Sequence, residues 1–175
     1  MIQRKPHIPS FKRVVAPLLK HAMPTSLKIV QTFAEDQLNA FVKRIKDQDF
    51  KSFHDVPLSE QWLAYKIKHD LDMRTMIATE HYIKAIQVLT HKESPDSITV
   101  YIGFKMSEMV NDRDGNPTDF PMYRLAEVHE YGSQNHHTPA RPHWKPQVPR
   151  IRKAAIPVRR NIQKEIMALV KGVGY

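Results

Sequence analysis

The clearest periodic signal along the chain begins at Thr25 or Ser26, either of which can cap a helix. From there Leu27, Val30, Ala34, Leu38, Phe41, Val42 and Ile45 recur at spacings of three and four. That pattern predicts a helix ending near Lys46, one face of which turns to a core. Asp47 to Phe53 breaks the periodicity. Pro57-Leu58-Ser59 then opens a shorter helix, with Ser59 as cap, Glu60 in the first turn, and Trp62, Leu63, Tyr65, Lys66 and Ile67 following. Residues 70–80 read as an irregular link. Tyr82 to Leu89 and Ile98 to Phe104 alternate as strands around the turn Ser94-Pro95-Asp96-Ser97, predicting a β-hairpin.

Residues 105–122 read as a hydrophilic loop through Asn111-Asp112-Arg113-Asp114-Gly115-Asn116-Pro117. Leu125 to Tyr131 predicts a short helix stopped by Gly132, and Gln134 to Arg141 a second loop. The last helix is expected from Lys145 or Val148 to Lys171. Pro146 and Pro149 fit its first turn, whereas Pro157 is expected to kink or divide it. Its apolar side is Ile151, Ala154, Ala155, Val158, Ile162, Ile166, Leu169 and Val170. The first 24 residues carry Pro6, Pro9, Pro17 and Pro24, which predict an extended arm with at most a short helical turn over Val14–Leu19. Phe11, Val14, Val15, Leu18 and Leu19 are costly to leave in water, so a neighbouring subunit is a natural place for that arm to dock.

These elements predict an α+β domain over residues 25–175. A small, mainly antiparallel sheet is packed by a long N-terminal and a long C-terminal helix, and a third strand is expected without a fixed place. Hydrophobic residues make up 41% of the 175, enough for one domain with a real core. No internal repeat is present. The chain has no Cys, which removes disulfides and thiol-based metal or redox chemistry. No apolar run approaches the ~20 residues needed to span a bilayer. The basic N-terminus lacks the apolar stretch of a signal peptide. A soluble protein of a reducing compartment, with no membrane partner, is expected.

Charge changes the picture most. Residues 1–28 hold six Lys or Arg and no acid, and residues 141–175 hold nine against Glu165 alone. The formal total is +9, so the middle of the chain is net acidic. Such ends face nucleic acid or the acidic middle of a neighbouring copy. Arg150, Arg152, Lys153, Arg159, Arg160 and Lys164 are the residues expected to line a path for phosphates or to contact a neighbouring subunit.

Catalytic signatures are missing: there is no G-x-x-x-x-G-K-[ST], G-x-G-x-x-G or G-x-S-x-G. His129, His136, His137 and His143, with Glu127 and Glu130, form a histidine-rich stretch. However, His129-Glu130 lacks the second His of a helical H-E-x-x-H site, and His136-His137 is not pre-aimed in a loop. A small metallo-hydrolase is therefore a poor third reading. Asp112-Arg113-Asp114-Gly115-Asn116 places Gly115 at the fourth position, not the sixth that a calcium loop needs. No cofactor, no metal and no enzymatic activity are expected.

One segment says more. Glu130-Tyr131-Gly132-Ser133, a short loop, then Pro139-Ala140-Arg141-Pro142 and a helix resembles the pattern "E-[FY]-G-[ST] … P-A-R-P-F". That pattern belongs to the lambda minor tail protein Z-like tail-completion, or virion morphogenesis, family of tailed phages. His143 stands where an apolar aromatic is usual, and Trp144 can supply the ring. The order of a long helix, Pro57-Leu58-Ser59 with Lys66, and a hairpin is also similar to the family's layout. The arm at 1–24 and the loop at 105–122 look like additions. The resemblance covers about residues 26–171. It implies a structural subunit of the phage neck: a ring of six copies that completes the tail and meets the tail tube or terminator protein and the head connector. It also implies a channel for genomic DNA, assembly in the host cytoplasm and residence in the virion. Arg141 is expected to pair with Glu130 or with a carboxylate of an adjacent subunit. A sequence-neutral nucleic-acid-binding protein is the main alternative.

Overall fold

The computed structural model describes residues 11–76, 80–94, 97–112, 115–135 and 137–172. Its first element, α1 (Phe11–Lys46), carries the expected stripe: Ala34, Phe41 and Ile45 are buried and Leu38 and Val42 are packed against them. The helix starts at Phe11, so the arm expected over 1–24 is helical from that residue onward. Pro17 and Pro24 interrupt the ladder of hydrogen bonds locally without ending it. Residues 1–10 lie outside the described ones.

The chain leaves α1 through Gln48, whose φ of 57° is left-handed. The Gln48 side chain then works like a strand partner. Its Nε2 donates to the Thr75 carbonyl at 3.0 Å, and its Oε1 accepts from the Thr75 N–H at 2.8 Å. A five-residue helix, α2 (Lys51–Asp55), follows where only a break was expected; it seats Phe53 in the core beside Phe50. α3 (Glu60–Lys68) starts as anticipated, with the Ser59 Oγ accepting from the Trp62 N–H at 3.3 Å. Lys66 on this helix is 1% exposed, and its ammonium donates to the carbonyls of Asp72 (2.6 Å) and Arg74 (2.7 Å). Burial lowers its pKa. The irregular link after α3 is thus held from one side by Lys66 and from the other by Gln48.

The expected strand over 82–89 is corrected. His81–Ala85 is a turn of helix, α4, and the strand β1 begins only at Gln87 and runs to Ser94. Tyr82, Ile83, Ala85 and Ile86 are all buried while Lys84 is exposed, which is a helical spacing and not an alternation. β1 pairs antiparallel with β2 (Ser97–Gly103), in a register that sets Gln87 opposite Gly103 and Thr90 opposite Val100. The hairpin is therefore present, shifted toward its turn.

The loop expected over 105–122 contains a second hairpin, β3 (Met109–Asn111) with β4 (Pro117–Pro121). It forms its own two-stranded sheet and adds no third strand to the first. Its turn is closed by Asp112, whose carboxylate accepts from the Asn116 N–H at 2.8 Å. That acid serves the backbone in the manner of an Asx turn. β4 leads into α5 (Met122–Tyr131), and α6 (Gln147–Gly172) is the last element, undivided at Pro157. α6 starts beside the C-terminal end of α1, where an Arg44 guanidinium nitrogen donates to the Gln147 Oε1 at 2.7 Å, and packs against that helix. The α+β class holds: two long helices pack against small antiparallel two-stranded sheets. The core is Phe41, Ile45, Phe50, Phe53, Tyr82, Ile83, Ala85, Ile86, Met122 and Ala126. Among the described residues, no helix is long and apolar enough to cross a membrane.

Candidate functional site

The segment Glu130–Lys145 folds back between the end of α5 and the start of α6. α5 stops because Gly132 has a φ of 77° and donates its N–H to the Val128 carbonyl at 2.8 Å. A Cβ at this position would lie 2.9 Å from both the Ala140 nitrogen and the Thr138 oxygen. Only glycine fits both the angle and the space. Ser133 and Thr138 then exchange two backbone hydrogen bonds, of 2.8 and 2.9 Å, closing a small loop. The Arg141 N–H donates to the His129 carbonyl at 2.6 Å and so brings the second half of the motif against the first.

Glu130 and Arg141 are both buried, but they do not pair with each other as expected. The Glu130 carboxylate accepts from three successive backbone N–H groups, those of His143 (2.9 Å), Trp144 (3.0 Å) and Lys145 (2.9 Å). It satisfies the free donors of the turn that leads into α6 and ties α5 to α6. The Arg141 guanidinium reaches the other way, donating from Nε to the Val56 carbonyl (3.0 Å) and from Nη2 to the Pro57 carbonyl (2.8 Å). Ser52 adds a hydrogen bond from its Oγ to the Pro142 carbonyl at 2.7 Å. The motif is therefore a clasp that locks α2, the lead-in to α3, α5 and α6 together.

His143, fully buried, is the hub of that clasp. Its Nδ1 lies 2.9 Å from the Arg141 carbonyl and its Nε2 lies 2.7 Å from the Tyr82 hydroxyl, which also accepts from the Trp144 indole N–H at 3.0 Å. One arrangement of protons satisfies every contact: neutral imidazole with the proton on Nδ1, and the tyrosine O–H donating to Nε2. Burial pushes the His143 pKa down and the Tyr82 pKa up, which keeps both groups neutral. The ring of His143 lies among Phe41, Phe50 and Phe53. It thus takes the place of the usual apolar aromatic while adding two hydrogen bonds. Neighbouring His129 is half-buried, with its Nδ1 out of reach of water and unpartnered, and its pKa is lowered to about 4, chiefly by desolvation.

The histidine-rich stretch is scattered by this geometry. His143 has both nitrogens engaged, His129 faces the core, His137 is exposed, and His136 lies outside the described residues. Among the described residues no three His, Asp or Glu converge on a common metal position.

Of the remaining motif residues, Gly132, Ser133, Ala140 and Pro142 are half-buried, and Pro139 is exposed. Tyr131 is 76% exposed. It borders an open apolar cavity of about 600 Å³ between α1, β2 and the start of α6, whose walls include Phe33, Ala34, Tyr101, Val148 and Ile151. Sequence reasoning did not find this cavity, because its walls come from elements far apart in the chain. Tyr101 and Val148 are themselves substantially exposed at its rim. The six cations expected to act together, Arg150, Arg152, Lys153, Arg159, Arg160 and Lys164, are all exposed on α6. No family model, no curated protein and no solved structure matches this chain.

Proposed function

We propose that this chain is a non-catalytic structural subunit of a tailed-phage neck, which assembles into a ring of about six copies that completes the tail and joins it to the head. The reading starts from the resemblance of Glu130–Ser133 and Pro139–Pro142 to the tail-completion family. The observation that carries it further is what the motif does in the fold. Its charged members are consumed in fixing the backbone, while Tyr131 is left in water beside an apolar cavity. A residue set spent on rigidity next to an uncovered aromatic suits a preformed assembly surface. The ring mates with the tail tube or terminator on one face and the head connector on the other. Its residence is the virion, after assembly in the host cytoplasm.

Negative-stain microscopy of the cognate tail tubes incubated with the purified chain tests this. Density confined to one tube end supports the assignment. Tubes left bare, or coated along their length, count against it.

A further inference from the structure

The sequence from Arg141 to Lys164 contains no acid, and the helix it mostly occupies is two-sided, with the exposed Ile156 set within the basic side. At 3.6 residues per turn, Arg152, Lys153, Arg159, Arg160 and Lys164 fall opposite Ile151, Ala154, Ala155, Val158 and Ile162. The apolar set is half-buried and the basic set is exposed. None of these five cations has an ion pair among the described residues. Arg150, at the near end, feels Asp49, whose carboxylate is held below its usual pKa mainly by Arg44. From Arg150 to Lys164 the strip rises about 21 Å, the axial length over which B-form DNA presents about twelve phosphates.

We infer that the outer face of α6 is a sequence-neutral binding strip for the phosphates of duplex DNA. Two observations favour DNA over the acidic middle of a neighbouring copy. Many exposed acids of the body are already partnered within the chain: Asp47 by Lys43, Asp49 by Arg44, Asp55 by Lys51, Glu80 by Lys46 and Lys84, and Glu127 by Arg124. The strip is also dense in charge, whereas the cores of protein interfaces are depleted in it. Duplex is favoured over single strand because α6 has no aromatic residue on which bases can stack. The inference stands whether or not the chain forms a ring.

The test is fluorescence anisotropy of two labelled duplexes of unrelated sequence, titrated with the full chain from 50 to 200 mM salt. If the five cations neutralise five phosphates, log K falls with log salt at a slope of about −4.5, an affinity loss of about 500-fold over that range. Both duplexes bind alike. The variant Arg152→Gln/Arg159→Gln/Arg160→Gln, with its helicity checked by circular dichroism, flattens the slope by about 2.7. The variant Lys51→Gln/Lys68→Gln/Lys84→Gln removes the same charge from the body and leaves the slope within one unit of the parent. Equal losses in the two variants would reduce the effect to net charge and overturn the proposal. It is also overturned by no binding at 50 mM salt, or by an α6 variant that keeps its DNA affinity but loses self-association.

Discussion

At the scale of single residues, the clasp makes sharp energetic statements. Glu130→Ala removes the acceptor of three backbone N–H groups, that of His143 fully buried and the other two partly so, a loss of about 3 kcal/mol in urea unfolding. Glu130→Gln, which retains one acceptor oxygen, costs less. Gly132→Ala is destabilising by about 2 kcal/mol or more, since it meets a left-handed φ and two backbone atoms at 2.9 Å. The two histidines with lowered pKa values contribute to the acid limb of stability. A histidine whose folded pKa is depressed is protonated more readily in the unfolded chain, so its contribution is complete above pH 6.5 and lost as pH falls. For His129 that window extends down to about pH 4, and it corresponds to roughly 3 kcal/mol. Melting temperatures measured from pH 7 to pH 4 fall steeply in the parent. His129→Phe, which cannot titrate, flattens part of that fall, and His143 retains the rest. Most of this was out of reach of the sequence. The Glu130–Arg141 pair was a reasonable expectation from charge alone. The actual partners of Arg141 are carbonyls at Val56 and Pro57, more than eighty positions away and without any side-chain signature.

At the scale of elements, legibility followed the length of the pattern. The end of α1, the Ser59 cap of α3, the Gly132 stop of α5 and the span of α6 were all readable, because each has a long stripe or a specific capping residue. The short elements were misread. Tyr82, Ile83, Ala85 and Ile86 carried a helical spacing that a run of β-formers concealed. Phe50 and Phe53, three apart, announced α2 too briefly to outweigh the polar residues between them. The β3–β4 hairpin was hidden inside a run that looked only hydrophilic. Lys66 was invisible as an anchor, since lysines are seldom fully buried. Lys66→Met keeps the apolar stem but strands the Asp72 and Arg74 carbonyls. The expected result is a loss of about 2 kcal/mol and faster proteolysis within Leu71–Met76 than elsewhere in the chain.

At the scale of the whole molecule, the charge asymmetry read from the sequence becomes a division of surfaces. A basic strip runs along α6, many of the body's acids pair locally, and an apolar cavity opens between α1, β2 and α6 under Tyr131. The proposed ring uses the cavity side for contact between copies and leaves the strip for DNA. The most direct measurement is mass photometry of the full chain over a rising concentration series, with Tyr131→Glu run in parallel. The account predicts a discrete particle of about six times the 20.4 kDa subunit for the parent, and a folded monomer for Tyr131→Glu. A parent that stays monomeric throughout, or a Tyr131→Glu variant that assembles as well as the parent, would contradict it.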